Sequence, residues 1–337
     1  MLNPADFISL PCPPDLVESG IACACRSLTQ PGHRNGTSIF DHLRLTVADV
    51  VVELAFRRHL VENGVPFGVF GAAPFTDPDH YDVSLGGHRC ALHTSLISLR
   101  VDISLHRRSP AALLQSPALV PLDEFSAAEG KADDIQLFAF LLGLVTSSRE
   151  DVDRAGKAGQ PLALVHPLPV PWRRPTPWVP LENLVLKSEC DQPLKVELFG
   201  QDADRKFITH TLELPPRQRT PVPQSFYNLL CLRVDQVLSA RLGIHSPTRG
   251  EAHIIHPYDW GNLWVYGMSI LLAGWLTHEN YRRKATVLNP GTHAALVGNL
   301  NEKNLFVPVE DLNPITPLLH RVRDWAGEKQ INPGGDS

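Results

Sequence analysis

The stretch Tyr81-Asp82-Val83-Ser84-Leu85-Gly86-Gly87-His88-Arg89-Cys90-Ala91-Leu92-His93-Thr94-Ser95-Leu96-Ile97 decides how this chain reads. Two runs suited to extended backbone are separated by a pair of glycines. Gly-Gly supplies the positive φ angles that a two-residue hairpin turn requires, so the reading is a strand over 81–85 and a strand over 89–97. Side chains alternate across a strand, so residues 91 and 93 share one face. His88 and Cys90 point to the other, which excludes a metal site built from His88, Cys90 and His93.

Upstream, Val47, Val50, Val51, Leu54, Ala55 and Leu60 recur at spacings of three and four, which predicts a helix over 41–63. Asn63-Gly64 ends it, and a short strand over 65–70 follows. Downstream comes a basic stretch with Arg107 and Arg108, then Asp133-Asp134 leading into an apolar run from Ile135 to Val145 that reads as a buried strand. Ser148-Arg149-Glu150-Asp151 has the form of a capped helix start.

This order of elements over residues 41 to 155 resembles the PD-(D/E)XK restriction-endonuclease superfamily. In that family a helix glutamate, an acid on one strand and an acid-x-Lys motif on the next hold a divalent metal that activates water. The lysine positions or polarises the nucleophile. Glu53 matches the helix glutamate and Asp82 the first acid, while Ala91-Leu92-His93 stands where acid-x-Lys belongs. The resemblance thus implies catalytic roles for His93, Asp82 and Glu53, with Asp82 and Glu53 as metal ligands. Alanine offers no ligand, and histidine is cationic only part of the time near neutrality. The implied site is degenerate, with magnesium as a cofactor only if activity survives.

The second half reads differently. Residues 161–180 hold Pro161, Pro167, Pro169, Pro171, Pro175, Pro177 and Pro180, together with Trp172 and Trp178. Such proline density opposes regular structure and is read as a linker. Strand candidates follow over 184–187, 194–199, 207–214 and 227–234. An apolar run over 263–275 comes next, then a helix capped by Thr277 and a terminal helix over 318–325. The expected organisation is an irregular lead-in (1–38), a restriction-endonuclease-like domain (39–160), a linker (161–180) and a β-rich domain with C-terminal helices (181–330). The expected fold class is an α/β N-terminal domain with a mixed sheet flanked by helices, followed by that β-rich domain.

Composition narrows the function. The chain has 337 residues, of which 43% are hydrophobic and 20% charged, so it has the means to build sizeable cores. A formal net charge of -5 excludes nucleic-acid binding through bulk positive charge. Any DNA contact must come from local clusters, and Arg57, Arg58, Arg107 and Arg108 are the candidates. Six cysteines include only one close pair, Cys23 and Cys25, which is a poor zinc signature. The longest apolar stretch, over 263–276, is broken by Gly267, Ser269 and Gly274 and falls short of the ~20 residues a membrane span needs. With no signal-like start, the expected location is cytoplasmic. These features point to a DNA-binding or scaffolding subunit of a nucleic-acid-processing or defence complex, with DNA or a protein as partner and no membrane. An active magnesium-dependent endonuclease and a purely structural partner module are the alternatives.

Overall fold

Nine consecutive buried residues, from Ile135 to Gly143, form the heart of a mixed α/β fold. A run with no exposed face fits a strand that has neighbours on both sides and other elements above and below it. The computed structural model describes residues 2–30, 38–69, 83–127 and 130–331. In chain order the elements are β1 (Ile8–Leu10), α1 (Pro14–Ser27), α2 (Ile39–Glu62), β2 (Phe67–Gly68), β3 (Val83–Leu85), β4 (His88–Ile97), α3 (Arg100–Arg108), β5 (Pro117–Pro121), α4 (Leu122–Ala127) and β6 (Ile135–Val145). They continue with α5 (Arg149–Lys157), β7 (Leu164–Pro167), α6 (Val170–Arg173), β8 (Val185–Ser188), β9 (Leu194–Gln201), β10 (Phe207–Leu214), β11 (Arg219–Pro221), β12 (Asn228–Val234), β13 (Leu242–His245), β14 (His253–Ile255) and β15 (Gly261–Asn262). The last are β16 (Val265–Thr277), α7 (His278–Lys284), β17 (Thr286–Leu288), β18 (His293–Ala294), β19 (Gly298–Asn299), β20 (Asn304–Pro308) and α8 (Ile315–Ile331).

These elements form two compact units made of interleaved segments. The first comprises Met1–Leu16, Ala48–Leu144 and Tyr266–Ser337, and the second Val17–Val47 and Val145–Val265. The first unit holds a six-stranded sheet in the order β1-β16-β6-β4-β3-β2. β2, β3 and β4 form an antiparallel meander, whereas β4 runs parallel to β6, from Cys90 opposite Ile135 to Ile97 opposite Leu142. The hairpin turn has φ +59 at Gly86 and +87 at Gly87, the left-handed conformations that only glycine adopts freely. Parallel neighbours need a long crossover, which here carries α3, β5 and α4. A three-stranded sheet, β17-β20-β5, shares an apolar core with Phe138, Phe140 and Leu142 of β6 and Tyr281 of α7.

The second unit is a pair of sheets, β10-β9-β12-β7-β15 and β11-β8-β13-β14. Leu164, Leu198 and Leu232 from one sheet and Leu186, Ile244 and Ile255 from the other belong to one core. Asn262 is the polar hub of this unit. Its Oδ1 accepts from the Ala163 and Trp264 amides at 3.1 and 3.2 Å, and its Nδ2 donates to Thr146 Oγ1 at 2.7 Å.

Expected local elements and observed ones agree where the signal was local. Ser148 and Thr277 each cap a helix by accepting an amide hydrogen bond three residues on, from Asp151 and Asn280, both at 3.2 Å. The larger divisions differ. Residues 161–180 contain β7, which pairs antiparallel with β12, and bury Leu164, Val165, Leu168 and Trp172. Their prolines include one strand's last residue and the first turn of α6, places where a missing N–H costs little. The boundary between compact units does not fall there. Residues 266–331, expected in a β-rich C-terminal domain, instead supply β16 to the six-stranded sheet of the first unit. Among the described residues no helix is long and apolar enough to cross a membrane.

Candidate functional site

β4 carries Ala91 and His93, the residues expected at the acid-x-Lys positions, and its parallel partner β6 decides their surroundings. Register places Ala91 opposite Gln136 and His93 opposite Phe138. Gln136 and Phe138 are two apart and so share a face, which they present to His93. His93 Nε2 lies 2.7 Å from Gln136 Oε1, and its ring stacks on Phe138 with centroids 5.2 Å apart. A glutamine Oε1 only accepts, so His93 holds its proton on Nε2 and donates it.

The network extends in one direction. Gln136 Nε2 donates to His278 Nδ1 at 3.5 Å, which requires that nitrogen to be unprotonated. His278, the first residue of α7, stacks face to face on Phe125 with centroids 4.1 Å apart. Its amide donates to the Asp134 carbonyl at 2.6 Å. A Cβ at Gly130 would lie 2.7 Å from His278 Nδ1, so glycine there leaves the ring its room. The bond from Gln136 needs His278 neutral, whereas His93 can donate from Nε2 in either form, so burial decides its charge. Desolvation pushes His93 down to about 4, with the Gln136 hydrogen bond opposing only in part. Desolvation also lowers His278, against a smaller opposing pull from Asp134.

Nearby polar groups are committed to holding the strands. Asp134, 4% exposed, accepts from the Arg89 amide at 3.1 Å through one carboxylate oxygen and from the Lys131 amide at 2.7 Å through the other. Tyr281 donates through its hydroxyl toward the Ala118 and Leu305 carbonyls, at 3.0 and 2.9 Å, and burial raises its pKa.

The other expected site residues fall as follows. Glu53 lies on α2 in an ion pair with Arg57, one turn along the same helix. Asp82 lies outside the described residues. Arg58 pairs with Asp15 at 2.7 Å, and that hydrogen bond holds the Asp15 carboxyl below its usual range. Arg107 donates to the Gly267 carbonyl, and Arg108 to the Ser104 carbonyl at 3.0 Å. The structure therefore brings His93 together with Gln136 and His278, and Glu53 with Arg57. Among the described residues no group of three or more His, Cys, Asp or Glu side chains is placed to hold a metal ion. Of the residues on β4, Ala91 has no donor to offer a metal, and the His93 Nε2 proton is given to Gln136.

Gln136, His278 and Phe125 were not foreseen. Gln136 did carry a signal, as the one polar side chain in the otherwise apolar run of 135–145. A buried amide needs partners, and these were the two histidines. No protein-family model, curated protein or solved structure matches the chain.

Proposed function

We propose that the chain is a non-catalytic scaffolding subunit built on a restriction-endonuclease-like α/β unit, serving a nucleic-acid-processing or defence complex. One observation carries this reading. The position of the motif lysine is held by His93, a neutral ring whose Nε2 proton is given to Gln136. Such a group supplies no positive charge to a phosphate or a metal-bound nucleophile. The element order supports the family likeness: α2, the β2–β3–β4 meander and β6 parallel to β4 follow one another along the chain. The arginines expected to touch DNA favour scaffolding over phosphate binding, because two pair with carboxylates and two with backbone carbonyls.

The test uses the full chain with magnesium or manganese and plasmid DNA. The expected result is no cleavage and no calorimetric metal binding by wild type. The double variant Ala91→Asp with His93→Lys should gain manganese binding, and adding Asp82→Ala should remove that gain. Metal-dependent cleavage by wild type that Asp82→Ala abolishes would overturn the reading in favour of an active endonuclease.

A further inference from the structure

The four outer strands of the second unit's two sheets are not alike. β15 is two residues long, and β11 and β14 are three each, with Pro221 closing β11. Short edges and proline are the usual means of keeping unpaired N–H and C=O groups from other chains. β10 lacks these protections. It runs for eight residues in unbroken register with β9, from Phe207 opposite Gln201 to Leu214 opposite Leu194. It contains no proline or lysine and no bulge. Phe207, Thr209, Thr211 and Glu213 are exposed, while Ile208 and Leu212 pack on the core of the unit. Among the described residues, β9 is the only strand hydrogen-bonded to β10.

We propose that the outer edge of β10 pairs antiparallel with β10 of a second copy of this chain, making one continuous sheet from the two five-stranded sheets. Self-complementarity selects this occupant. Directly opposite residues of an antiparallel pair share a face, so the exposed set must meet the exposed set. With the two-fold axis at His210, Thr209 lies opposite Thr211 of the second copy. Ile208 then lies opposite Leu212 of the second copy on the core side, and Phe207 opposite its Glu213. His210 faces itself on the axis and Lys206, just before the strand, faces Leu214, and no carboxylate faces another. Moving the axis to Thr209 would pair only residues 207–211 within the strand and carry Glu213 past its start, opposite Arg205. Moving it to Thr211 would carry Phe207 past the strand end, opposite Pro215. The pairing holds whether or not the first unit is a degenerate nuclease.

An eight-residue edge buries less than the ~1,000 Å² of a lasting interface, so association should be weak, on the order of tens of micromolar. Sedimentation velocity of the full chain, over concentrations spanning that range, should show a monomer–dimer equilibrium. The variant Thr209→Lys with Thr211→Lys opposes two lysines at each end of the pairing and should weaken it at least ~10-fold. The variant Thr209→Lys with Thr211→Glu sets lysine opposite glutamate at both places and should restore the dimer. Both positions are exposed, and circular dichroism checks that each variant folds. Three results would each overturn the proposal. Wild type could remain monomeric throughout, even if it captures an extended peptide. The two-lysine variant could dimerise like wild type. The lysine–glutamate variant could fail to recover.

Discussion

Acid should destabilise the first unit through His93, and the size of the effect follows from its surroundings. Its pKa lies near 4 in the fold against an ordinary 6.5, so between those values the unfolded chain binds a proton that the native state refuses. Unfolding therefore takes up protons in this window, and stability falls as pH drops from 6.5 towards 4. Above 6.5 both states are neutral at this residue and it contributes no slope. The full difference corresponds to about 3 kcal/mol at ~1.4 kcal/mol per pH unit, an upper bound because the ring keeps some exposed surface. Desolvation also lowers His59, His106 and His278, so the wild-type slope is shared. Substituting His93→Gln isolates one part: urea unfolding at pH 7, 6, 5 and 4.5 should give the variant a shallower loss, by about 2 kcal/mol over the window. Titration of the His93 ring protons by NMR supplies the direct value. A midpoint near 6.5, or equal slopes for wild type and His93→Gln, would refute the argument that this ring is held neutral by its setting.

Two further substitutions probe the cores. Tyr281→Phe removes the hydroxyl shared between the Ala118 and Leu305 carbonyls and should cost about 1–2 kcal/mol in urea unfolding; a change within error would show that those carbonyls do not depend on it. Asn262→Leu strands the buried Ala163 and Trp264 amides and the Thr146 hydroxyl, so a loss of about 3 kcal/mol or more is expected in the second unit; a thermal midpoint near wild type would remove Asn262 as its polar hub.

Much of the local structure was written in neighbouring residues. Gly86-Gly87 set the hairpin, Ser148 and Thr277 set two helix starts, and the apolar run of 135–145 marked a buried strand. Each depends on φ preferences, a side chain three residues from its amide, or an unbroken apolar run along one strand, all properties of contiguous sequence. The division of the chain was not legible in that way. Proline density at 161–180 looked like a boundary, but these prolines tolerate β7 and α6, and the units interleave through segments far apart in sequence. The site shows the same split. The strand face shared by residues 91 and 93 was readable from spacing. That His93 is neutral was decided by the burial of its ring, its hydrogen-bond partner Gln136 stands forty-three residues on, and that Gln136 is satisfied was decided by His278, another 142 residues beyond it. Desolvation and hydrogen-bond direction belong to the packed arrangement, because they depend on which groups exclude water from which. Sequence names the groups, and only tertiary structure sets them side by side.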